Sequence, residues 1–304
     1  MNKDFKKEIT KLKKEKNAII LVHNYQIPEV QDIADFLGDS LDLAKKATQT
    51  NAENIIFCGV DFMAESAKIL NPDKNVILPD ISATCPMAHM VDINGLEKLK
   101  ESHPQAEVVC YINTTAETKT HVDICCTSSN GNKIVKMLSS HEIIFIPDRN
   151  LGSFIQTQVP EKKMILWPGF CSTHNNITKK DILRLKSKHL NAEVLVHPEC
   201  RLDVIDLADQ ALSTNGMVNY VKKSDTKEFI IGTEKDICYR LKNENPQKEF
   251  YPIKSAICPN MKKITAEKVL KSLETLEPKI KLPNKIIKEA KKPLKKMMNF
   301  GRGD

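Results

Sequence analysis

Short segments that are apolar throughout recur along the chain, separated by stretches with helical spacing of apolar residues. The runs IILVH, EVVCY and EVLVH do not alternate between apolar and polar residues, so they predict parallel strands that are covered on both faces. Further runs, NIIF, EIIF and EFII, then NVILP, KMILW and EFYPI, predict a second and a third strand for each unit. Strands that alternate with helices predict the α/β class, built from three-layer α/β/α units with small parallel sheets.

The same frame repeats three times. Equivalent positions lie 86 to 88 residues apart in five sets: His23, Tyr111 and His197; Asp35, Asp123 and Asp209; Ser40, Ser128 and Thr214; Phe57, Phe145 and Ile231; Leu12, Leu99 and Leu185. Sets that share one register predict an internal triplication around a pseudo-threefold centre. We expect the units to span residues 1–88, 89–174 and 175–261, with C-terminal helices in 262–304 packed on the first unit.

Three cysteines, Cys85, Cys171 and Cys258, follow the frame at intervals of 86 and 87 residues, each just after a third strand. Ligands gather at the carboxyl ends of parallel strands, so the three thiols predict a metal site at the shared centre. Three thiolates do not complete an ordinary four-ligand site. Either a fourth protein ligand exists, for which His174 is the candidate, or one metal position stays open to substrate.

Polar pairs also close the first strand of each unit. Residues i and i+2 of a strand share a face, and the pairs are His23 and Tyr25, Tyr111 and Asn113, and His197 and Glu199. The hydroxyl residues Ser40, Ser128 and Thr214 each stand before a helical stretch, where we predict N-caps. Three helix N-termini that converge on one cavity favour carboxylate or phosphate ligands.

Composition narrows the class of protein. The chain has 304 residues, of which 41% are hydrophobic and 28% charged, as in ordinary globular proteins. Neither an apolar leader nor a run of membrane-spanning length is present, so we expect a cytoplasmic protein with reduced thiols. The six cysteines outside the frame are predicted to be small buried apolar residues: Cys58, Cys110, Cys125, Cys126, Cys200 and Cys238.

The formal charge of +7 comes largely from lysines near both ends, which we interpret as solvated helix faces. The last three residues, Arg302 to Asp304, are predicted to be a frayed end. Two hypotheses stand beside that of an enzyme with an open metal position. One is a tri-cysteine zinc hydrolase, and the other is a cluster-bearing sensor that binds RNA through its basic ends.

Several longer stretches resemble the quinolinate synthase family, the iron–sulfur enzymes of de novo NAD biosynthesis. The resemblance covers nearly the whole chain in family order: LVHNYQIPEVQDIADFLGDSL, GVDFMAESAKILNP, ATCPMA, CTSSN, PDRNLG, VHPEC, LSTNGM, IGTE and CPNMKK. It implies three pseudo-symmetric α/β/α domains around a [4Fe–4S] cluster held by Cys85, Cys171 and Cys258, with one iron open. The implied reaction condenses iminoaspartate (iminosuccinate) with dihydroxyacetone phosphate to quinolinate, phosphate and water.

The resemblance also implies roles for the strand-end and helix-start residues. Carried over by position, the groups that hold the dicarboxylate or phosphate are His23, Ser40, Tyr111, Asn113, Ser128, His197, Glu199 and Thr214, while Tyr25 and Glu199 resemble the acid–base residues. The implied partners are the small-molecule substrates and, transiently, the enzyme that supplies the unstable imine. Neither nucleic acid nor membrane is implied.

Two departures from the family pattern matter. Some members carry a Cys-x-x-Cys-x-x-Cys motif at the third ligand, whereas Cys258 stands alone here, so no regulatory disulfide is expected. The second cysteine loop reads Gly-Phe-Cys-Ser-Thr-His, with a more polar residue before His174 than the family pattern leads us to expect.

Overall fold

The computed structural model describes residues 3–304, and the side chains of residues 5–304. Three four-stranded sheets form, and all of their strands run parallel. The first sheet comprises β1 Ala18–His23, β2 Phe36–Gly38, β3 Asn54–Cys58 and β4 Asn75–Ile77. The second comprises β5 Glu107–Tyr111, β6 Ile124–Cys126, β7 Glu142–Ile146 and β8 Lys163–Leu166. The third comprises β9 Glu193–Val196, β10 Gln210–Ala211, β11 Glu228–Gly232 and β12 Glu249–Pro252. The predicted α/β class with small parallel sheets is confirmed.

The helices alternate with these strands. Around the first sheet they are α1 Lys3–Glu15, α2 Pro28–Gln31, α3 Ser40–Gln49 and α4 Asp61–Leu70. Then follow α5 Ile93–Ser102, α6 Gly131–Met137, α7 Arg149–Gln158, α8 Ser172–Asn175, α9 Lys179–Lys186, α10 Leu202–Ile205, α11 Thr214–Lys223, α12 Ile237–Glu244, α13 Ala266–Thr275 and α14 Asn284–Phe300. Short 3₁₀ turns cover Pro86–His89, Thr118–His121 and Met261–Lys263. Of the helices in residues 3–304, none has the length and apolar character to cross a membrane.

The three sheets share one topology and one register. Their strand orders are β2-β1-β3-β4, β6-β5-β7-β8 and β10-β9-β11-β12. Ile20 pairs with Ile56, and the equivalent pairs are Val108 with Ile144 and Val194 with Ile230. Because equivalent residues pair in all three sheets, the sequence repeat is also a repeat of structure.

Each sheet has one strand more than the sequence indicated. The extra strands are β2, β6 and β10, and each begins directly after one of the repeated aspartates, Asp35, Asp123 and Asp209. They are only two or three residues long, which is too short for a periodic pattern to show. Each pairs with the first strand of its unit and forms an edge of the sheet.

The repeated aspartates connect these edge strands to the first strands. The Asp35 carboxylate accepts the N–H of Ile20 at 2.8 Å. The equivalent contacts, Asp123 to Val108 and Asp209 to Val194, measure 2.8 and 2.7 Å. Their recurrence in the sequence therefore reflects a structural role in the sheets.

Apolar strands place the core on both faces of each sheet. In the third sheet, Leu195, Phe229 and Ile231 join the main core that runs through the first and second sheets. Val194 and Ile230 belong instead to a smaller core under α9 and α10. This double burial explains why the strand segments read as unbroken apolar runs.

The C-terminal segment packs more widely than expected. Helix α13 contacts α1 and β3, whereas α14 lies against both α4 and β6. The predicted unit limits at residues 88 and 174 fall inside the short helical turns after Cys85 and Cys171, and they remain predictions.

The prediction of a frayed end at residues 302–304 is wrong. Arg302 forms ion pairs with Asp39 at 2.8 Å and Asp42 at 3.1 Å. The N–H of Gly303 bonds to Ser129, and the Asp304 carboxylate accepts the N–H of Ser213. Partners from three separated parts of the chain hold these residues, which local sequence does not reveal.

Candidate active site

A cavity of about 140 Å³ lies where the three sheets meet. His174, the candidate fourth ligand, lines it together with the twelve other residues that the sequence singled out for ligand, binding or acid–base roles: His23, Tyr25, Ser40, Cys85, Tyr111, Asn113, Ser128, Cys171, His197, Glu199, Thr214 and Cys258. Their common location follows from the topology, because the carboxyl ends of parallel strands in each unit point to the shared centre. The cavity brings these residues together, and their individual roles remain predictions.

The three cysteines reach the cavity from equivalent loops after β4, β8 and β12. Each is a free, partly buried thiol. Burial raises the pKa of all three thiols. The nearby Cys258 raises the pKa of Cys85 further. A cation bound among them would offset that cost by stabilising the thiolates.

The other six cysteines lie outside the cavity lining. Cys58, Cys110, Cys125, Cys126 and Cys200 are fully buried, as predicted. Cys238 is only partly buried, because α12 places it near the surface. Position in the threefold frame therefore separates the cavity cysteines from the rest.

The predicted N-caps are displaced by one or two residues. The side chain that caps α3 is Asp39, and the one that caps α11 is Ser213; each accepts a backbone N–H of the first turn. Ser40 and Thr214 are therefore the first residues of their helices, and Ser128 lies two residues before the N-cap of α6. Because Asp39 and Ser213 do the capping, the hydroxyl groups of Ser40 and Thr214 are left to line the cavity.

His174 lies at the junction between the cysteines and the strand-end residues. Its Nδ1 atom is 2.5 Å from the Glu199 carboxylate and 3.2 Å from the Cys171 sulfur. Its Nε2 atom is 2.8 Å from the Thr233 hydroxyl. Both ring nitrogens thus have protein partners, which disfavours His174 as the fourth ligand of a centre held by the three cysteines.

A smaller group offers an alternative metal site. The sulfur of Cys171, a ring nitrogen of His174 and a carboxylate oxygen of Glu199 all lie within 4.8 Å of one another. Their side chains belong to the cavity wall. This group could bind a single metal ion, and the donor set is one that zinc accepts.

A chain of hydrogen bonds runs along one side of the cavity. The Tyr25 hydroxyl is 2.5 Å from the Thr233 hydroxyl, which contacts His174, which in turn contacts Glu199. Glu199 also bonds to Tyr111. The chain links Tyr25 and Glu199, the two residues that the sequence placed in acid–base roles.

Thr233 was missed by the sequence analysis. Its equivalents in the frame are Pro147 and Gly59, so a search for polar residues that occur three times overlooks it. It directly follows β11, and the rule that ligand-side residues cluster at strand ends would have found it.

Burial and neighbouring charges set the protonation states. Burial lowers the pKa of His23 to about 4 and that of His197 to about 3, so both rings are neutral at pH 7. Burial alone would raise the pKa of Glu199, but His174 and His197 lower it to about 2. Burial and the Glu199 charge raise the pKa of Tyr25 and Tyr111, so both phenols keep their protons.

Comparison with known proteins identifies the family. The family model "NadA: Quinolinate synthetase A protein" matches residues 7–299. A quinolinate synthase of Thermodesulfovibrio yellowstonii is 53% identical over 294 residues, covering 96% of this chain and 97% of the relative. "Quinolinate synthase 2" of Methanosarcina acetivorans is 51% identical, covering 96% and 94%. A quinolinate synthase of Pelobacter propionicus is 51% identical, covering 99% and 100%. With a triplicated α/β fold, a shared cavity and relatives of this similarity along its length, the chain belongs to the quinolinate synthase family of enzymes.

Proposed function

We propose that this chain condenses iminoaspartate with dihydroxyacetone phosphate to quinolinate, phosphate and water in the central cavity. The observation that carries the proposal is that residues from all three units, chosen for their chemistry and spacing, line a single cavity. Membership of the quinolinate synthase family supports the same product. A cytoplasmic location and a transient contact with the imine-supplying enzyme stay predictions.

We propose further that Cys85, Cys171 and Cys258 hold a [4Fe–4S] cluster. The donor set fits, because three soft thiols that are free of disulfides reach one cavity from equivalent loops. With one iron left without a protein ligand, the cluster would supply a Lewis acid for an oxygen of the substrate.

Neutral donors and helix starts suit the anionic substrates. Of the described residues that line the cavity, none is a Lys or Arg. The carboxylate of Asp39 already caps α3, and that of Asp304 accepts the N–H of Ser213 at the start of α11. Compensation of substrate charge therefore falls to the metal centre, while Ser40 and Thr214 offer neutral hydroxyl groups at these helix starts. The neutral imidazoles of His23 and His197 orient carboxylate or phosphate oxygens by hydrogen bonding.

Proton transfer is assigned to the hydrogen-bonded chain. Glu199 is ionised at neutral pH, so it begins as a base that removes a proton from substrate. Tyr25 keeps its phenol proton and can donate it to a leaving oxygen. Thr233 and His174 connect the two residues. The proton that Glu199 accepts can therefore pass along this chain and reprotonate Tyr25.

Purification without oxygen, followed by iron, acid-labile sulfide and zinc analysis, tests the proposal. We expect about four iron and four sulfide per chain, as the cluster requires, and quinolinate formation when both substrates are added. Zinc in place of iron, with hydrolytic activity, would support the Cys171–His174–Glu199 site instead. Salt-dependent RNA binding without quinolinate formation would support the sensor hypothesis.

A further inference from the structure

A carboxylate lies behind each of the three cysteines. The backbone N–H of Cys85 donates to Asp61 at 2.9 Å, that of Cys171 donates to Asp148 at 3.2 Å, and that of Cys258 donates to Glu234 at 3.5 Å. These acceptors come from the segments that follow β3, β7 and β11. The same contact therefore occurs once in each of the three units, as the cysteines do.

A second contact accompanies each carboxylate. The N–H of Asp61 donates to the carbonyl of Ala83, two residues before Cys85. The equivalent backbone bonds join Arg149 to Gly169 and Lys235 to Ala256, again two residues before a cysteine. Each cysteine loop is thus held at two points by the start of the helical segment beside it.

The acceptors are themselves anchored. Asp148 is fully buried and also accepts the N–H groups of Asn150 and Leu151 at the start of α7. Glu234, also fully buried, accepts the N–H of Asp236 and pairs with Lys262. The second oxygen of Asp61 contacts His89. A carboxyl group that is fixed by its own partners can hold a loop through the hydrogen bond that its oxygen accepts.

The first unit obtains its carboxylate in a different way. The register position of Asp148 and Glu234 is occupied there by Val60, and the carboxylate comes from the next residue, Asp61. The side chain still reaches the cysteine amide. The same contact made from a shifted position indicates that the contact itself, and not only the inherited sequence, matters.

We propose that Asp61, Asp148 and Glu234 are positioning residues for the metal centre. Each accepts the amide N–H of one cysteine and so fixes the direction in which its sulfur enters the cavity. This proposal rests on the proposed function, because it assumes that the three cysteines hold the cluster. It adds a ring of outer residues that act through the ligands and do not touch substrate.

The test compares cluster retention in matched variants of the reconstituted full chain. Asp61→Ala and Asp148→Ala remove an acceptor, whereas Asp61→Asn and Asp148→Asn keep an oxygen for the cysteine amide. Asp123→Ala is the control, since Asp123 also accepts a backbone N–H but does so at β5. The measurements are iron per chain and the rate of cluster loss to an iron chelator.

We expect the two Ala variants to lose the cluster about tenfold faster than the parent, the scale of one lost hydrogen bond. The Asn variants and Asp123→Ala should lose it at nearly the parent rate. Should Asp148→Ala fail to fold because α7 loses its cap, the partly exposed Asp61 still provides the comparison.

Parent rates of loss in every folded Ala variant would overturn the positioning role alone. Equally fast loss in Asp123→Ala would also overturn it, since the effect would then be general destabilisation. A parent protein that takes up no iron would instead overturn the proposed function, and the positioning role with it.

Discussion

Two parts of the cavity wall differ in symmetry. The cysteines and the helix-start hydroxyls repeat almost unchanged in three units, whereas the chain from Tyr25 through Thr233 and His174 to Glu199 occurs once. The positions equivalent to His174 hold Ala88 and Met261. A threefold shell suits a centre with three equivalent ligands, but neither substrate is threefold symmetric. The chemistry therefore depends on side chains at which the repeats diverged.

The largest effect is expected from the repeated part. Changing Cys85, Cys171 or Cys258 singly to Ala should abolish cluster retention, because two thiolates do not hold it securely. Iron and sulfide analysis of anaerobically purified protein measures the loss. The control is Cys58→Ala, at a buried cysteine outside the cavity, which should keep the cluster. Full cluster content in any of the first three variants would contradict the tri-cysteine site.

In the unrepeated chain, Glu199→Gln should lower kcat by roughly 10²-fold or more, the scale of general acid–base catalysis. The amide keeps shape and hydrogen bonding but does not accept the proton. Cluster content should be unchanged, and quinolinate should bind no worse than to the parent, since a negative charge beside an anionic ligand is removed. Titration calorimetry and steady-state kinetics separate the two effects. Normal turnover would leave Tyr25 to carry the proton transfers.

The buried imidazoles predict a pH dependence of stability. Because the folded-state pKa values of His23 and His197 lie below the unfolded value near 6.5, the unfolded chain binds more protons as pH falls from about 6.5 toward 4. The free energy of unfolding should therefore decrease as the pH decreases through this window, and each histidine contributes up to about 1.4 kcal/mol per pH unit. The low pKa of Glu199 contributes stability that is lost only below about pH 4.3.

Urea unfolding of the cluster-free protein measures how steeply the free energy of unfolding depends on pH. Measurements at about pH 4.5 to 7 cover about two pH units of that window. His197→Gln should reduce this slope, whereas the same change at the exposed His141 should not. An unchanged slope for His197→Gln would show that this imidazole is not held neutral by the fold.

The smallest effect concerns the connection between the two acid–base residues. Thr233→Val keeps the shape of the side chain but removes the hydroxyl that bridges Tyr25 and His174. We expect kcat to fall about tenfold, the scale of one hydrogen bond, with little change in KM. Thr118→Val is the matched control, because Thr118 is also a buried threonine but its hydroxyl contacts Thr115 and neither Tyr25 nor His174. Equal kcat values for the two variants would mean that the direct contact between the Tyr25 hydroxyl and His174, at 3.3 Å, connects the acid–base residues without Thr233.

Much of the fold was predictable because local pattern and repetition point the same way. Unbroken apolar runs indicated parallel strands buried on both faces, and the 86-to-88-residue spacing indicated three equivalent units. The two- and three-residue strands β2, β6 and β10 were missed because they exist only by pairing with a first strand. The N-caps were displaced because a neighbouring Asp or Ser competes for the same role as the hydroxyl that was chosen.

The amino-acid sequence by itself determined the triplication, the class of the fold and the set of side chains that surround the cavity. These follow from the spacing of equivalent residues along the chain and from the rule that strand ends carry ligands, both of which can be applied to the sequence without knowing how the units pack. Tertiary structure alone decided which side chains of the three units contact one another around the cavity. It connected Thr233 to Tyr25, aimed His174 at Glu199 and anchored Arg302 far along the chain. The physical reason is that a hydrogen bond between residues up to 263 positions apart depends on how three sheets pack, and no local pattern records that.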